Sequence, residues 1–257
     1  MDLMLGGKAA MISGGSKGIG FHIASDLAGE GCHVAISGRT EPDLDDARER
    51  IAALGRGRVI SFHGDMNRKE DCEAFLAAAA GEFGGVDILV NNVGGSDPKT
   101  LLETTDEDWV IAFEFNLYNA VRLSRLAIPE MKKRGGGSIL NISSIAGRES
   151  GSAMTYNASK AAMISFSKAL SQQVAKDNIR VNSLCPGSVL FPGGVWERRI
   201  AASPDGLKGW VESAMPFGRF GRPEEISVVA TFMVSPRATL VHGACWTVDG
   251  SQSRSNI

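Results

Sequence analysis

The stretch Ser13-Gly14-Gly15-Ser16-Lys17-Gly18-Ile19-Gly20 joins a short apolar segment to a segment of helical periodicity. A tight turn needs Gly14, close approach of a diphosphate needs Gly18 without a Cβ, and close packing of helix on strand needs Gly20. The amino end of the following helix offers free N–H groups and a positive dipole to phosphates. The strand, turn and helix order favours a nucleotide-binding turn over a plain glycine-rich loop. No Gly-Lys-Ser/Thr sequence ends the turn, which disfavours a P-loop.

Short apolar runs alternate along the chain with longer segments of helical periodicity. Strands are predicted at 8–13, 32–37, 58–63, 86–91, 138–143, 180–184 and 245–248. Helices are predicted at 18–29, 42–54, 68–83, 106–134, 153–176 and 223–234, with Thr105 as the N-cap of the fourth. The pattern predicts an α/β fold in which residues 1–257 form a single Rossmann-type domain. Its doubly wound, mostly parallel sheet has helices on both faces.

A less regular stretch, 187–221, precedes the last predicted helix. We expect residues 190–217 to cover the ligand site as a mobile lid. Several apolar side chains suggest a hydrophobic pocket beneath the lid, namely Phe191, Trp196, Trp210 and Met215. Arg198 and Arg199 fit either an anionic part of a substrate or a solvated helix face.

The composition is ordinary for a globular protein, with 43% hydrophobic and 22% charged residues. The formal net charge of −2 argues against a general attraction to nucleic acid or to an anionic membrane. No signal peptide or long apolar run is recognisable. Cys32, Cys72, Cys185 and Cys245 show no paired spacing, so we interpret them as reduced thiols of a cytoplasmic protein and expect no metal site.

The segment Tyr156-Asn157-Ala158-Ser159-Lys160 opens a long helical segment. Residues four apart lie on the same face of a helix. A lysine ammonium beside a phenol favours the phenolate, so Lys160 is expected to lower the pKa of Tyr156 and make it usable as an acid near neutral pH. Taken alone, such a pair is more often an ordinary surface contact.

The end of the second predicted strand, Ser37-Gly38-Arg39-Thr40, bears on the choice of cofactor. An acidic residue at this point would accept hydrogen bonds from an adenosine ribose and indicate NAD. Gly38 stands there instead, and Arg39 and Lys17 suit a 2′-phosphate. The sequence therefore favours NADP, and Glu41 nearby keeps NAD as the alternative.

With these motifs, the chain resembles the short-chain dehydrogenase/reductase family almost from end to end, and its 3-oxoacyl-acyl-carrier-protein reductases in particular. The resemblance rests on the glycine turn, Gly64-Asp65-Met66, Asn91-Asn92-Val93-Gly94, Asn116, Ser144, Tyr156, Lys160 and Pro186-Gly187. It implies a catalytic set of Asn116, Ser144, Tyr156 and Lys160. It implies cofactor contacts from Gly14, Ser16, Lys17, Gly18, Ile19, Gly20, Arg39, Asp65, Met66, Asn92, Gly94, Tyr156, Lys160, Pro186, Gly187 and Val189.

Two departures from the family pattern affect the expected site. The segment between Ser144 and Tyr156 is one residue shorter than in many relatives, which leaves Ser143 as a rival to Ser144 and suggests a different loop at 148–153. Phe191 stands where a threonine commonly binds the nicotinamide carboxamide, so that contact is expected from the backbone near Val189.

The resemblance implies an NADP(H)-dependent interconversion of a carbonyl and a secondary alcohol. Tyr156 would act as the acid or base, Ser144 would hold the substrate oxygen, and Asn116 would hold a water that relays protons to Lys160. Expected partners are a small-molecule substrate and three further copies in a homotetramer. Two alternatives remain: an NAD-dependent catabolic dehydrogenase of a polyol, sugar or hydroxy acid, and a non-catalytic cofactor-sensing regulator.

Overall fold

The computed structural model describes residues 1–256 as one sheet with helices on both of its faces. The strands are β1 (Ala9–Ile12), β2 (His33–Gly38), β3 (Val59–His63), β4 (Ile88–Asn91), β5 (Gly137–Ile142), β6 (Ile179–Pro186) and β7 (Cys245–Val248). The helices are α1 (Gly18–Gly29), α2 (Glu41–Ala52), α3 (Lys69–Phe83), α4 (Asp106–Phe113), α5 (Asn119–Lys133), α6 (Met154–Val174), α7 (Val195–Ala202), α8 (Pro204–Ala214) and α9 (Pro223–Val234).

The seven strands run parallel in the order β3-β2-β1-β4-β5-β6-β7. The direction of winding reverses between β1 and β4, where Ala10 pairs with Ile88 and Ile12 with Val90. In open sheets of this kind, ligands bind outside the carboxyl ends of the strands at that reversal. The predicted doubly wound fold is confirmed, and its switch point lies beside the glycine turn.

Both faces of the sheet are buried, as the uninterrupted apolar strands predict. In β1, Ala10 and Ile12 face a core formed with α1, α2 and α9, whereas Ala9 and Met11 face a second core formed with α3, α5 and α6. Alternate residues of one strand therefore serve opposite layers. This packing fixes where each strand ends relative to its neighbours, and hence the positions of the loops that follow.

The predicted single helix at 106–134 is wrong in its centre. Residues Glu114–Tyr118 form a π-helical turn between α4 and α5. Asn116 lies in that turn, and its side chain donates to the carbonyl oxygen of Ala112 at 2.9 Å. Local π-helical turns replace regular helix where another interaction stabilises them, often at functional sites. The predicted N-cap is confirmed, since the Thr105 hydroxyl accepts from the Asp108 N–H.

The stretch at 187–221 is more regular than the sequence suggested, because it contains α7 and α8. Trp196 of α7 stacks on Trp210 of α8 with ring centroids 4.6 Å apart, and Phe220 packs against both rings. Stacked aromatic side chains bury much apolar area and hold the two short helices together. Across residues 1–256, none of the helices is both long and apolar enough to cross a membrane.

Candidate active site

The glycine turn has the backbone geometry that a diphosphate requires. Gly14 and Gly18 adopt φ values of +68° and +58°, which residues with a Cβ rarely adopt. A Cβ on Gly20 would overlap the carbonyl oxygen of Gly14. Among residues 1–256, no side chain caps the amino end of α1, and the first turn of this helix contains no acidic residue. The turn and the helix dipole therefore fit the diphosphate of a dinucleotide.

Asn92, directly after β4, fixes this turn from the neighbouring strand. Its side-chain Nδ2 donates to the carbonyl oxygens of Gly14 at 2.9 Å and Ser13 at 3.2 Å, and its backbone N–H donates to the Ser13 hydroxyl at 3.0 Å. In this structure, the predicted cofactor residue Asn92 thus acts first on the shape of the turn. These partly buried hydrogen bonds hold the turn in that shape before a ligand arrives.

The region expected to bind the adenosine lies at the ends of β2 and β3. Arg39 is exposed, with its guanidinium 5.6 Å from the centroid of the Phe115 ring. Lys17 forms an ion pair with Asp43 of α2 at 3.1 Å, and both side chains are about half exposed. A Cβ on Gly38 would contact the Ser16 hydroxyl at 3.3 Å. Two cations therefore flank the end of β2, one of them already paired.

Asp65 and Met66 follow β3, and their side chains lie in different surroundings. The Asp65 side chain accepts from the Asn67 N–H at 3.0 Å, which shapes the turn before α3. The Met66 side chain is buried in the core below the sheet, so only its backbone remains available to an adenine.

Tyr156 and Ser144 meet at the carboxyl ends of β5 and β6. Their side chains are close enough for the Ser144 hydroxyl to lower the pKa of the Tyr156 phenol through a hydrogen bond. The Ser144 hydroxyl also accepts from the Ala146 N–H at 3.1 Å, which fixes its rotamer. Ser143, the rival serine, is buried and donates to the Lys160 carbonyl oxygen at 3.0 Å. The structure therefore places Ser144, and not Ser143, beside the phenol.

Lys160 and Asn116 converge on the backbone of Gly94. A Cβ built on that glycine would lie 2.9 Å from the Lys160 Nζ and 2.8 Å from the Asn116 Oδ1. Asn116 also accepts from the Gly95 N–H at 2.9 Å and donates to the Gly95 carbonyl oxygen at 3.0 Å. The segment from Asn92 to Gly95 thus links the glycine turn to the lysine and the amide.

The pKa of Tyr156 does not move in the direction predicted from the sequence. Burial raises the pKa of the phenol, and the hydrogen bond with Ser144 opposes that rise. The Lys160 ammonium lies 5.8 Å from the ring centroid and donates instead to the Ile142 carbonyl oxygen at 2.9 Å. Burial lowers the pKa of Lys160 to about 8. Desolvation is therefore the largest influence on the pKa values of both groups.

Asn157, inside the Tyr-Asn-Ala-Ser-Lys segment, was not singled out from the sequence. Its Nδ2 donates to the carbonyl oxygens of Ala146 at 2.7 Å and Glu149 at 2.6 Å, and its Oδ1 accepts from the Ser152 N–H at 3.2 Å. One side chain thus closes the short loop between Ser144 and α6. The sequence does show an asparagine directly after the tyrosine. Its position could have indicated this role, because the two N–H groups of an amide can donate to two carbonyls at once.

The Pro186-Gly187 turn ends β6 and is held from the C-terminal segment. The Gln252 side chain accepts from the Ser188 N–H at 2.7 Å, and Val189 pairs with Gly221 in a parallel bridge. Beyond the turn lies a cavity of about 140 Å³ that contains none of the four catalytic candidates. Its walls include Val189, Met215, Phe217, Arg219, Val248 and Gln252.

The aromatic residues of the lid segment do not form the predicted common pocket. Trp196 and Trp210 stack on each other, and the Phe191 ring lies against Gly18. The two arginines are also engaged. Arg198 donates to the Gly193 carbonyl oxygen at 2.7 Å, and the Arg199 guanidinium lies 4.8 Å from the centroid of the Trp196 ring.

Comparisons with known proteins agree with this geometry. Residues 14–251 match the family described as enoyl-(acyl carrier protein) reductase. The 3-oxoacyl-[acyl-carrier-protein] reductase FabG of Chlamydia muridarum is 34% identical over 254 residues, which cover 98% of this chain and 100% of the relative. L-Sorbose reductase from Gluconobacter frateurii, solved with NADPH and L-sorbose, is 35% identical with a TM-score of 0.94, covering 99% of this chain and 100% of that one.

A further solved structure, 7α-hydroxysteroid dehydrogenase with NADH and 7-oxo glycochenodeoxycholic acid, is 33% identical. Its TM-score is 0.90, and the match covers 97% of this chain and 96% of that one. The fold and the glycine turn are those of a family of nicotinamide-dependent oxidoreductases. The chain belongs to the short-chain dehydrogenase/reductase family, and the likeness to 3-oxoacyl-acyl-carrier-protein reductases is confirmed.

Proposed function

We propose that the protein interconverts a carbonyl and a secondary alcohol with NADP(H) as the hydride carrier. The observation that carries this proposal is the hydrogen-bonded pair of Tyr156 and Ser144, with Lys160 held next to it at the edge of the nucleotide-binding sheet. The bound cofactor supplies the hydride chemistry, and the protein supplies position and protons.

Each side chain of the set has a distinct role in this proposal. Tyr156 donates its proton to the carbonyl oxygen, and its raised pKa keeps it protonated at neutral pH, as reduction requires. The Ser144 hydroxyl hydrogen-bonds the same oxygen as negative charge develops there. Lys160, whose pKa burial lowers to about 8, exchanges protons near neutral pH and binds the nicotinamide ribose. Asn116 holds the loop at Gly95 and a water beside Lys160.

The preference for NADP rests on the end of β2. Gly38 leaves no carboxylate to bind the ribose hydroxyls, and Arg39 and Lys17 are cations that suit a 2′-phosphate. NADPH in the L-sorbose reductase structure is consistent with this choice. The NAD-linked alternative is favoured by the Asp43 carboxylate, which partly neutralises Lys17. An Arg39→Ala variant tests the choice, since a loss with NADPH and not with NADH supports NADP.

The experiment that tests the activity is Tyr156→Phe, compared with Tyr118→Phe. The chain has two tyrosines, and Tyr118 is exposed on the π-helical turn, so the control removes a similar hydroxyl outside the site. Loss of the general acid is expected to lower kcat by about 100-fold or more. NADPH affinity should stay within about twofold, because the ring remains. Turnover of Tyr156→Phe within a few-fold of wild type would refute the assignment.

A substrate panel addresses the rest of the proposal. Residues 190–217 are proposed to cover the substrate, and their side chains do not identify it. Ketoses, 3-oxoacyl thioesters, 3-oxo acids and oxosteroids should therefore each be assayed with NADPH. Tight NADPH binding without turnover of any carbonyl would favour a cofactor-sensing regulator over an enzyme.

A further inference from the structure

Two cysteines sixty positions apart in sequence meet beside the proposed active site. Cys185 lies near the end of β6, and Cys245 is the first residue of β7. Their Sγ atoms are 3.4 Å apart, although both are free thiols. The strand register pairs Ser183 with Cys245, so the two cysteine side chains lie on the same face of the sheet, offset by two residues. All four cysteines are free thiols, as the sequence led us to expect, but the spacing gave no indication that these two are in contact.

A guanidinium faces this pair. Arg148 Nη1 donates to the Cys245 Sγ at 3.4 Å and to the Cys245 carbonyl oxygen at 3.2 Å. The Arg148 Nε is buried and has no hydrogen-bond partner within residues 1–256. A cation held against one sulfur favours the thiolate at that sulfur. Hydrogen bonds from Cys185 and Arg148 lower the pKa of Cys245 to about 6, and the hydrogen bond to Cys245 raises the pKa of Cys185.

The pair is connected to the catalytic candidates through Cys185. The Ser144 backbone lies close enough to Cys185 to oppose the rise in the pKa of that thiol, and the Ser144 side chain acts in the same way on the Tyr156 phenol. Cys245 is half-buried and lies on β7, the edge strand beside β6 in the described sheet of residues 1–256. A reagent can therefore reach Cys245 from outside, and any movement of Cys185 is transmitted to Ser144.

We propose that Cys185 and Cys245 form an oxidisable dithiol, which a hydroperoxide converts to a disulfide that lowers turnover at the adjacent site. The effect on turnover rests on the proposed function, whereas the oxidation itself does not. The sulfurs must approach by about 1.4 Å to reach a bond length of about 2.0 Å. β7 has only four residues and one neighbour, so it can supply that shift.

The chemistry balances with the peroxide as the oxidant. The Cys245 thiolate attacks one peroxide oxygen, the S–O bond forms, the O–O bond breaks, and the alcohol or water leaves with a proton. The Cys185 sulfur then attacks the Cys245 sulfenic acid, the S–S bond forms, and water leaves with the thiol proton. Two thiols and one hydroperoxide thus give one disulfide, one alcohol and one water.

The other two cysteines serve as internal controls. Cys32 and Cys72 are fully buried, and their thiols donate to the carbonyl oxygens of Leu5 at 3.3 Å and Met66 at 3.1 Å. Burial raises their pKa values to about 12 and about 11. They should remain reduced under conditions that oxidise the pair, because the thiol is a much weaker nucleophile than the thiolate.

The test treats the full-length folded protein with hydrogen peroxide, removes the peroxide, unfolds the protein, and then maps the remaining thiols by alkylation and peptide mass spectrometry. We expect a disulfide between the peptides of Cys185 and Cys245, reversed by dithiothreitol, while Cys32 and Cys72 alkylate fully. Turnover should fall about tenfold or more, because small displacements of positioned groups are costly. A Cys245→Ser variant should form no disulfide and keep its turnover after peroxide. Cys185→Ser should accumulate a sulfenic acid at Cys245 that reacts with dimedone.

Three results would overturn the proposal. One is a wild-type protein in which all four thiols alkylate equally before and after peroxide. Another is equal oxidation of Cys32 or Cys72, and a third is a disulfide that forms without loss of turnover. A protein that forms the reversible disulfide yet turns over no carbonyl even when reduced would instead contradict the proposed function and leave the dithiol intact.

Discussion

The ring of Phe191 lies against the Cα of Gly18, so closely that a Cβ on this glycine would fall 2.6 Å from the ring. This contact joins the segment after β6 to the glycine turn, 173 positions earlier in the chain. Gly18 is therefore constrained twice, by its φ of +58° and by the ring above it. The segment after β6 and the glycine turn are therefore in direct contact.

A Gly18→Ala variant should be destabilised and should bind NADPH more weakly. The left-handed backbone alone costs about 1–2 kcal/mol for a residue with a Cβ. The matched control is Gly29→Ala in the same helix, where a Cβ would have nothing within 4 Å. Urea unfolding should show a loss of more than about 1 kcal/mol for Gly18→Ala and no loss for Gly29→Ala, because alanine favours helix.

Adding Phe191→Leu to Gly18→Ala separates the two constraints. The double variant should recover the part of the loss that comes from the ring and retain the part that comes from φ. Full recovery would show that backbone strain at position 18 is negligible.

Removing the carboxylate beside Lys17 should improve NADPH binding. In Asp43→Asn the ammonium is freed from its partner 3.1 Å away. The gain should be less than about 1 kcal/mol, or up to about fivefold in KM, because the pair is half exposed. It should shrink at high salt. Asp46→Asn makes the same charge change on α2 in a pair with Arg50 and should have a smaller effect. Equal effects would indicate only a change in net charge.

Most of the fold could be predicted from the sequence because its signals are local. The glycine turn, the buried apolar strands and the Thr105 cap each act within one or two elements. The π-helical turn could not be predicted, because it involves Asn116 bonding to Gly95, a residue in another loop. The helices α7 and α8 were not predicted for a similar reason, since the stacking of Trp196 on Trp210 holds them together.

In the candidate site, spacing placed Tyr156 and Lys160 on one helix face but could not give their environment. Whether the pKa of Tyr156 rises or falls depends on how completely the phenol is buried, and only the folded arrangement of the loops determines that burial. The Cys185–Cys245 contact depends on the register between β6 and β7, which no local pattern encodes. Contacts between residues far apart in the chain are thus the part of the site that the sequence could not predict.

Asn157→Ala should reduce turnover more than cofactor binding. The variant loses two donated hydrogen bonds, to Ala146 and Glu149, and so loosens the loop that orients Ser144. Unsatisfied buried carbonyls cost about 1–3 kcal/mol. Steady-state assays should show a lower kcat at nearly unchanged KM for NADPH. Asn157→Asp keeps the acceptor for Ser152 but has no donors, so it should resemble Asn157→Ala. A wild-type kcat in both variants would show that the amide does not position the site.

The buried ammonium of Lys160 should make stability depend on pH in a defined direction. Its folded-state pKa is about 8, below the ordinary lysine value of 10.5, so between these values the unfolded chain binds more protons than the folded chain. The free energy of unfolding should therefore rise as pH increases from about 8 towards 10.5, and the burial cost should be fully present below both pKa values.

A Lys160→Met variant removes the titrating ammonium and keeps a long apolar side chain. The difference in unfolding free energy between wild type and Lys160→Met should move in favour of wild type by about 2 kcal/mol from pH 7.5 to pH 9.5. Urea titrations of the cofactor-free protein measure it, because the difference cancels groups common to both proteins. Lys176→Met removes an exposed ammonium just beyond α6 and should leave the wild-type slope unchanged. A difference that is flat with pH would mean that Lys160 is hydrated in solution, and its proposed proton exchange near neutral pH would lose its physical basis.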